Sequence, residues 1–319
     1  MSKRYDRHVL TVGAEFRDNF QLDQSSYDIY DVYLDDQRDS QNSALFIQED
    51  FSLSDRIRLV GGLRYDESTD FDGEVNPRAA LIYSLPESLP GETVLKISHG
   101  QSFRAPNAYE LYYDDGGFTN KAALRLEPET ISTNEVILEH YFNPSLIGIF
   151  SVYDYEIDDL IEQSLDPADG LLIFANVGQI DARGISLALE GRWADSITGR
   201  VSYTSQVAED AQTGTRLTNS PRNLIKVNLM VPLFDDRARA GLEVNYMSER
   251  STWSGRYADS ATRVNLTLTS KEFVPGLTAS ASFYNLLDEE YADPASQEHR
   301  QDMLPQLGRT YRVSLSYRF

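Results

Sequence analysis

The sequence predicts an all-β protein, folded as an antiparallel, up-and-down transmembrane β-barrel. Apolar and polar side chains alternate with a period of two in many segments, which is typical of strands with one apolar face. Short turns and long polar loops alternate along the chain, and aromatic residues lie near the ends of the apolar rows. The final segment carries one unbroken row, formed by Tyr311, Val313, Leu315, Tyr317 and Phe319.

Composition narrows the function classes. The 319 residues carry a net charge of -21, so a polyanion such as nucleic acid is repelled and is not an expected partner. No cysteine is present, which excludes disulfides and Cys-ligated metal sites. The longest apolar runs, such as 171–175, are far shorter than the roughly 20 residues of a membrane-spanning helix. A strand needs only about 9 to 11 residues to span the membrane, so these short runs do not exclude a β-barrel.

About fourteen strands are predicted from this alternation, each bounded by turn-forming or polar residues. They begin near His8, Ser43, Ile57, Val75, Thr93, Ile131, Leu146, Gly178, Ile197, Arg222, Ala238, Thr262, Leu277 and Arg309.

The connections between the strands favour a barrel over a soluble two-sheet sandwich. A sandwich has no reason to place short turns at one end and long loops at the other, whereas outer-membrane barrels do so. Because Phe319 ends a strand that follows a long loop, both chain ends are expected on the short-turn side. The short turns are predicted at 54–56, 143–145, 194–196, 234–237 and 272–276, an intermediate one at 86–92, and the long loops at 17–42, 104–130, 206–221, 249–261 and 288–308.

Short motifs occur in a fixed order along nearly the whole chain. They are Gly61-Gly62-Leu63-Arg64-Tyr65-Asp66, Asn76-Pro77-Arg78, Ser102-Phe103-Arg104-Ala105-Pro106, Glu110-Leu111-Tyr112, Leu126-Glu127-Pro128-Glu129-Thr130, Asn176-Val177-Gly178 with Gly184, Asn285-Leu286-Leu287-Asp288 with Tyr291, and Gly308-Arg309-Thr310-Tyr311. In this order they resemble the barrel of TonB-dependent outer-membrane receptors. That family imports ferric siderophores, cobalamin and similar scarce nutrients.

The resemblance implies a location in the outer membrane, a 22-stranded barrel, a globular plug and a segment that engages TonB. Residues 1–319 are expected to be a partial barrel domain, the last fourteen strands, with no plug domain and no signal peptide. The chain is therefore interpreted as a fragment or truncated form. The implied partners are a nutrient ligand, TonB through the missing N-terminal region, outer-membrane lipid and lipopolysaccharide; no cofactor is expected. Tyr317 and Phe319 resemble the signal by which the outer-membrane assembly machinery recognises barrels.

Two interpretations remain open for the segment that follows the predicted strand at Thr93. In one, Arg104, Tyr109, Tyr112 and Tyr113 bind an anionic or catecholate-like ligand at the extracellular mouth. In the other, Arg104 pairs with Glu110 or with a carboxylate of a neighbouring strand. The residues expected to be architectural are Phe103, Pro106, Glu110, Asn285, Asp288, Gly308 and Arg309.

No metal site and no enzyme are predicted. The loop acids could bind Ca²⁺, but none matches the EF-hand pattern and solvated acids are the simpler interpretation. The four histidines, His8, His99, His140 and His299, lack partners at metal-binding spacing. Ser98 and His99 face opposite sides of a strand. Two alternatives to the receptor remain: a free-standing porin-like channel of about fourteen strands, and an outer-membrane lipid hydrolase that depends on His99 or His140.

Overall fold

The computed structural model describes residues 1–86, 90–123, 125–193, 196–296 and 299–319. It contains one helix, α1 (Ala108–Tyr112). No helix in these ranges is long and apolar enough to cross a bilayer. The strands are β1 (Ser2–Tyr5), β2 (His8–Asn19), β3 (Gln24–Tyr27), β4 (Val32–Asp36), β5 (Ser40–Ser52), β6 (Ile57–Ser68), β7 (Glu74–Ser84), β8 (Glu92–Arg104), β9 (Glu129–Asn143), β10 (Leu146–Leu165), β11 (Leu172–Trp193), β12 (Ile197–Asp210), β13 (Asn223–Leu233), β14 (Ala238–Met247), β15 (Arg250–Ser251), β16 (Tyr257–Ala258), β17 (Ala261–Ser270), β18 (Leu277–Tyr284), β19 (Ala292–Pro294), β20 (Met303–Pro305) and β21 (Thr310–Tyr317).

One antiparallel sheet of fifteen strands dominates the molecule, and each strand pairs with its neighbours in chain order. All fourteen predicted strands belong to it. The fifteenth, β1, is a correction to the predicted number: its four residues are too few to display a period. Three further two-stranded sheets, β3–β4, β15–β16 and β19–β20, lie within the long connections. Among the described residues no pairing joins β1 to β21, so both remain edge strands.

The start of the chain does not lie where the strand parity predicts. Asp6 has a positive φ of 48°, and the turn it forms with Arg7 folds β1 back along β2. The Met1 ammonium group consequently donates to the Val12 carbonyl oxygen at 2.7 Å, in the middle of β2. The predicted position of the N-terminus at the short-turn end is therefore wrong.

Loop lengths are less regular than predicted. Connections 69–73 and 166–171 lie at the long-loop end but are short. The second is short because β10 and β11, with 20 and 22 residues, continue as a paired ribbon beyond the strands around them. Parts of four predicted connections lie outside the described residues: 87–89, Leu124, 194–195 and 297–298.

The two faces of the sheet differ in chemistry. Across five neighbouring strands the register aligns an apolar row, formed by Leu189, Val201, Val227, Val244 and Val264. One position further along the same strands, a row on the opposite face is polar and formed by Glu190, Arg200, Asn228, Glu243 and Asn265. An exposed apolar face and a polar face are what a wall between hydrocarbon and a wet lumen requires.

Candidate functional site

Helix α1 opens the long connection after β8 and is fixed by local chemistry. Pro106 is buried and cannot continue the strand ladder. Asn107 then caps the helix: its Oδ1 accepts from the Glu110 amide at 3.0 Å, and the Glu110 carboxylate accepts from the Asn107 amide at 2.9 Å. Leu111 anchors the helix in a small apolar core with Leu126 and Ile161. The loop at this end of the barrel wall therefore has a defined shape.

All three guanidinium nitrogens of Arg104 donate to carboxylate oxygens. Its Nε and Nη2 donate to the two oxygens of Glu129 at 2.5 and 2.6 Å, and its Nη1 donates to Glu110 at 3.0 Å. Glu129 lies directly opposite Arg104 in the β8–β9 ladder. Every guanidinium nitrogen therefore has a carboxylate acceptor. Of the two interpretations that the sequence left open, the structure has the one in which Arg104 pairs with carboxylates.

The three tyrosines of this segment fall into two groups. The rings of Tyr109 and Tyr113 are tilted by 31° to each other with centroids 4.5 Å apart, and Phe174 meets Tyr109 edge-on at 5.8 Å. We call Tyr109, Tyr113 and Phe174 the α1 ring cluster. Tyr112 lies apart from it: its hydroxyl donates to Asp70 at 3.2 Å, and the Arg38 guanidinium lies 3.5 Å from its ring centre. Burial, with the charge and hydrogen bond of Asp70, raises the pKa of Tyr112.

The neighbouring loop cations also bind carboxylates. Lys121 donates to Asp166 at 2.5 Å and to Asp169 at 2.7 Å, and these bonds raise the pKa of Lys121. Arg125 lies 3.1 Å from an oxygen of Asp72. In this region, the ion pairs of Lys121 and Arg125 connect one loop to another.

The second predicted motif closes the connection between β18 and β21. The Asn285 side chain accepts from the Glu289 amide and donates to the Glu289 carbonyl oxygen, both at 2.9 Å. Asp288 accepts from the Arg309 amide at 2.7 Å. A Cβ at Gly308 would lie 2.8 Å from Asp288 Oδ1, so a side chain there would displace the carboxylate. The four predicted residues, Asn285, Asp288, Gly308 and Arg309, therefore shape a loop.

Two residues at this end were missed by the sequence analysis. Arg250 is buried, with a side chain only 4% exposed, and binds Asn219 Oδ1 at 2.8 Å, Asp293 at 2.9 Å and the Ala292 carbonyl oxygen at 3.1 Å. Asp302 accepts from Thr252 Oγ1 and Ser254 Oγ, both at 2.7 Å.

These contacts join connections 211–222, 248–260 and 285–309, which we call the three-loop shell. Burial opposes ionisation of Asp302, but its hydrogen bonds outweigh burial and lower its pKa to about 2. No local signal could have found either residue, because their partners lie 31 to 50 positions away.

The remaining candidates show no catalytic or metal-binding arrangement in the described ranges. His99 Nδ1 lies 2.9 Å from Asn134 Oδ1, and His140 Nδ1 lies 2.8 Å from Thr93 Oγ1. No group of three metal-ligating side chains occurs in the described part of the chain. At the end of the edge strand β21, the ring of its last residue, Tyr317, lies 6.4 Å from the ring of Phe319, two residues further on.

Comparison with known proteins identifies the barrel. Residues 3–286 match the family described as "TonB dependent receptor-like, beta-barrel". The chain belongs to this family. The family resemblance, the barrel fold and the outer-membrane location predicted from the sequence are thereby confirmed.

Curated relatives are similar over most of this chain. The vitamin B12 transporter BtuB of Vibrio cholerae is 25% identical over 321 residues, covering 96% of this chain and 46% of the relative. The iron-regulated outer membrane virulence protein of Vibrio cholerae is 24% identical, covering 77% of this chain and 40% of the relative. The chain thus spans less than half the length of these relatives, whose names are those of a transporter and an outer-membrane protein.

Solved structures share the fold at low sequence identity. A ferric enterobactin receptor mutant from Pseudomonas aeruginosa, in complex with enterobactin, superposes with a TM-score of 0.79 at 18% identity, over 99% of this chain and 53% of that one. The FrpB iron transporter from Neisseria meningitidis gives 0.73 at 16% identity, over 100% and 54%. The fifteen-stranded sheet therefore corresponds to about half of such a receptor chain.

Proposed function

We propose that this chain is part of the barrel wall of a TonB-dependent receptor that imports a scarce nutrient such as cobalamin or a ferric siderophore. The main support is the family match over residues 3–286. A vitamin B12 transporter among the relatives supports the first nutrient class, and an iron-regulated outer membrane protein among them supports a link to iron.

The wall acts without making or breaking bonds. Its apolar outer face contacts lipid, its polar face lines the passage, and the loops at the α1 end meet the nutrient. Within this proposal, residues 1–319 are one part of the barrel domain, and TonB and the plug act on other parts of the receptor. Lipopolysaccharide borders the outer face above the apolar rows. The assembly machinery recognises Tyr317 and Phe319 on the edge strand.

The α1 end of the wall is the proposed nutrient-binding side. The α1 ring cluster offers aromatic contacts, because Tyr109 is 48% exposed on a capped helix. Arg104 serves this site as a positioning residue, since its carboxylate pairs fix the end of β8 beside α1. Phe103, Pro106 and Glu110 define the same corner.

A binding experiment tests the proposal. The full chain, reconstituted in lipid nanodiscs, is titrated with vitamin B12 and with ferric siderophores while the heat of binding is recorded by calorimetry. We expect saturable binding of a nutrient that is lost in Tyr109→Ala combined with Tyr113→Ala and retained in Tyr311→Ala on the edge strand. Saturable binding that survives removal of the α1 ring cluster would argue against this binding side.

The same sample distinguishes a receptor wall from a free-standing porin. The unpaired edges of β1 and β21 support a wall that needs further strands to close, because lipid does not tolerate unpaired backbone groups. In planar bilayers we expect no stable unitary conductance from this chain alone. A uniform, long-lived ion conductance would support the porin instead.

A further inference from the structure

The loops around α1 combine a large acidic excess with cations that are already paired. Connections 20–39, 69–73, 105–128 and 166–171 contain fourteen Asp and Glu against three Lys and Arg. Connection 20–39 is the most acidic of them, with six Asp and only Arg38 to offset them. Charge alone makes this end of the wall repel anions.

The three basic residues of these connections could still attract an anion, but each of them is already paired with a carboxylate. Each basic residue of these connections binds a carboxylate: Arg38 binds Asp36 at 2.6 Å, and Lys121 and Arg125 bind the acids described above. Arg104, at the end of β8, is held by Glu110 and Glu129. An anionic ligand would have to break one of these pairs and leave a carboxylate without its partner, which costs free energy.

The α1 ring cluster presents an accessible ring at this end, because Tyr109 is 48% exposed. The rings of the α1 ring cluster bind uncharged or cationic groups through apolar contact and cation–π attraction. Asp35 and Asp39 add negative charge, and the described contacts give neither of them an ion pair.

We infer that the nutrient taken at the α1 ring cluster carries no net negative charge, which excludes trianionic ferric tricatecholates and admits corrinoids and neutral ferric trihydroxamates. This inference rests on the proposed function and specifies its substrate class. It departs from the first of the two interpretations of the sequence, in which Arg104 and the tyrosines bind an anionic or catecholate-like ligand.

Three probes of different charge test it on the full chain in nanodiscs: vitamin B12, a neutral ferric trihydroxamate and a trianionic ferric tricatecholate. We expect at least one uncharged probe to bind, and the tricatecholate to bind at least about tenfold more weakly at low ionic strength. Asp35→Asn combined with Asp39→Asn should strengthen tricatecholate binding several-fold and leave the uncharged probes unchanged. Asp55→Asn combined with Asp235→Asn, at the short-turn end, is the matched control and should change neither.

The outcomes separate the two proposals. Tricatecholate binding that equals or exceeds that of the uncharged probes overturns the charge inference and leaves the receptor function standing. The charge inference is also overturned if the short-turn control strengthens tricatecholate binding as much as Asp35→Asn combined with Asp39→Asn does. The repulsion would then not come from the α1 end. Failure of every probe to bind to a sample whose circular dichroism shows the folded sheet overturns the receptor function, and the charge inference with it.

Discussion

Arg104 and Glu129 face each other directly across the β8–β9 ladder, and the guanidinium binds the carboxylate through two parallel hydrogen bonds of 2.5 and 2.6 Å. Glu129 also accepts from the Ile161 amide at 2.9 Å. One carboxylate thus links the end of β8 to β10, and the fork geometry explains why arginine occupies position 104.

Arg104→Ala is expected to lower the free energy of unfolding by about 2 kcal/mol, because Glu129 stays buried without its partner. Arg104→Lys should recover only part of this, since an ammonium group cannot form the parallel pair. Denaturant unfolding in detergent micelles measures both. The exposed pair of Arg125 and Asp72 is the control, and Arg125→Ala should cost about 0.5 kcal/mol or less. Equal losses at the two arginines would contradict this argument.

The apolar row on the outer face predicts a difference between adjacent residues of β11. Leu189→Arg places a charge in hydrocarbon and should cost about 2 to 4 kcal/mol. Ala188→Arg places the same charge on the polar face and should cost markedly less. Folding into lipid vesicles, followed by the heat-modifiable shift on electrophoresis, reports the difference. If Ala188→Arg proved the more harmful variant, the assignment of the two faces would be reversed.

Asp302 predicts how the three-loop shell responds to acid. Its pKa of about 2 lies below the ordinary value of 3.8. A depressed pKa means that the carboxylate contributes its full stability above the unfolded value, near pH 4, and loses it as the pH falls toward 2. Hydrogen exchange at the Ser254 amide should therefore be constant from pH 7 to about pH 4, after correction for intrinsic rates, and accelerate below. Loss of protection already at pH 6 would contradict the role of Asp302.

Arg250 predicts which contact holds the shell together. Arg250→Ala removes bonds to Asn219, Asp293 and the Ala292 carbonyl oxygen, and local opening should become easier by about 3 kcal/mol. Limited proteolysis should then cleave connection 248–260 while the strands stay protected. Arg256→Ala is the matched control, because Arg256 is 63% exposed and only one of several donors to Asp302. Equal cleavage in both variants would contradict the argument that Arg250 holds the three-loop shell together.

The sequence was informative about the sheet and poor about the loops, for a physical reason. Strand alternation repeats every two residues, so the fourteen longer strands could be predicted locally, while β1 was too short. Helix α1 has a local signal in the capping box of Asn107 and Glu110, but its five residues are too few to show a helical period. The contacts of Arg250 and Asp302 join loops far apart in sequence, and no local pattern encodes them.

Gly184 predicts a steric limit on the polar face of β11. A Cβ there would lie 2.5 Å from the Tyr153 hydroxyl and 2.8 Å from the Ser205 carbonyl oxygen. The tyrosine can move, but the Ser205 oxygen belongs to the ladder and cannot. Gly184→Ala should therefore displace Tyr153, break its 3.1 Å hydrogen bond to Gln206 and cost about 1 to 3 kcal/mol.

Gly241 supplies the matched comparison, because its Cβ would meet nothing closer than the Thr267 carbonyl oxygen at 3.9 Å. Gly241→Ala should be neutral or stabilise the sheet by about 0.5 to 1 kcal/mol, since alanine loses less backbone entropy than glycine on folding. Denaturant unfolding of the two variants, with amide exchange at Gln206, separates a specific clash from a general effect of alanine. Because both glycines lie on the polar face of paired strands, equal destabilisation of the two variants would contradict a specific clash with Tyr153 and Ser205 at position 184.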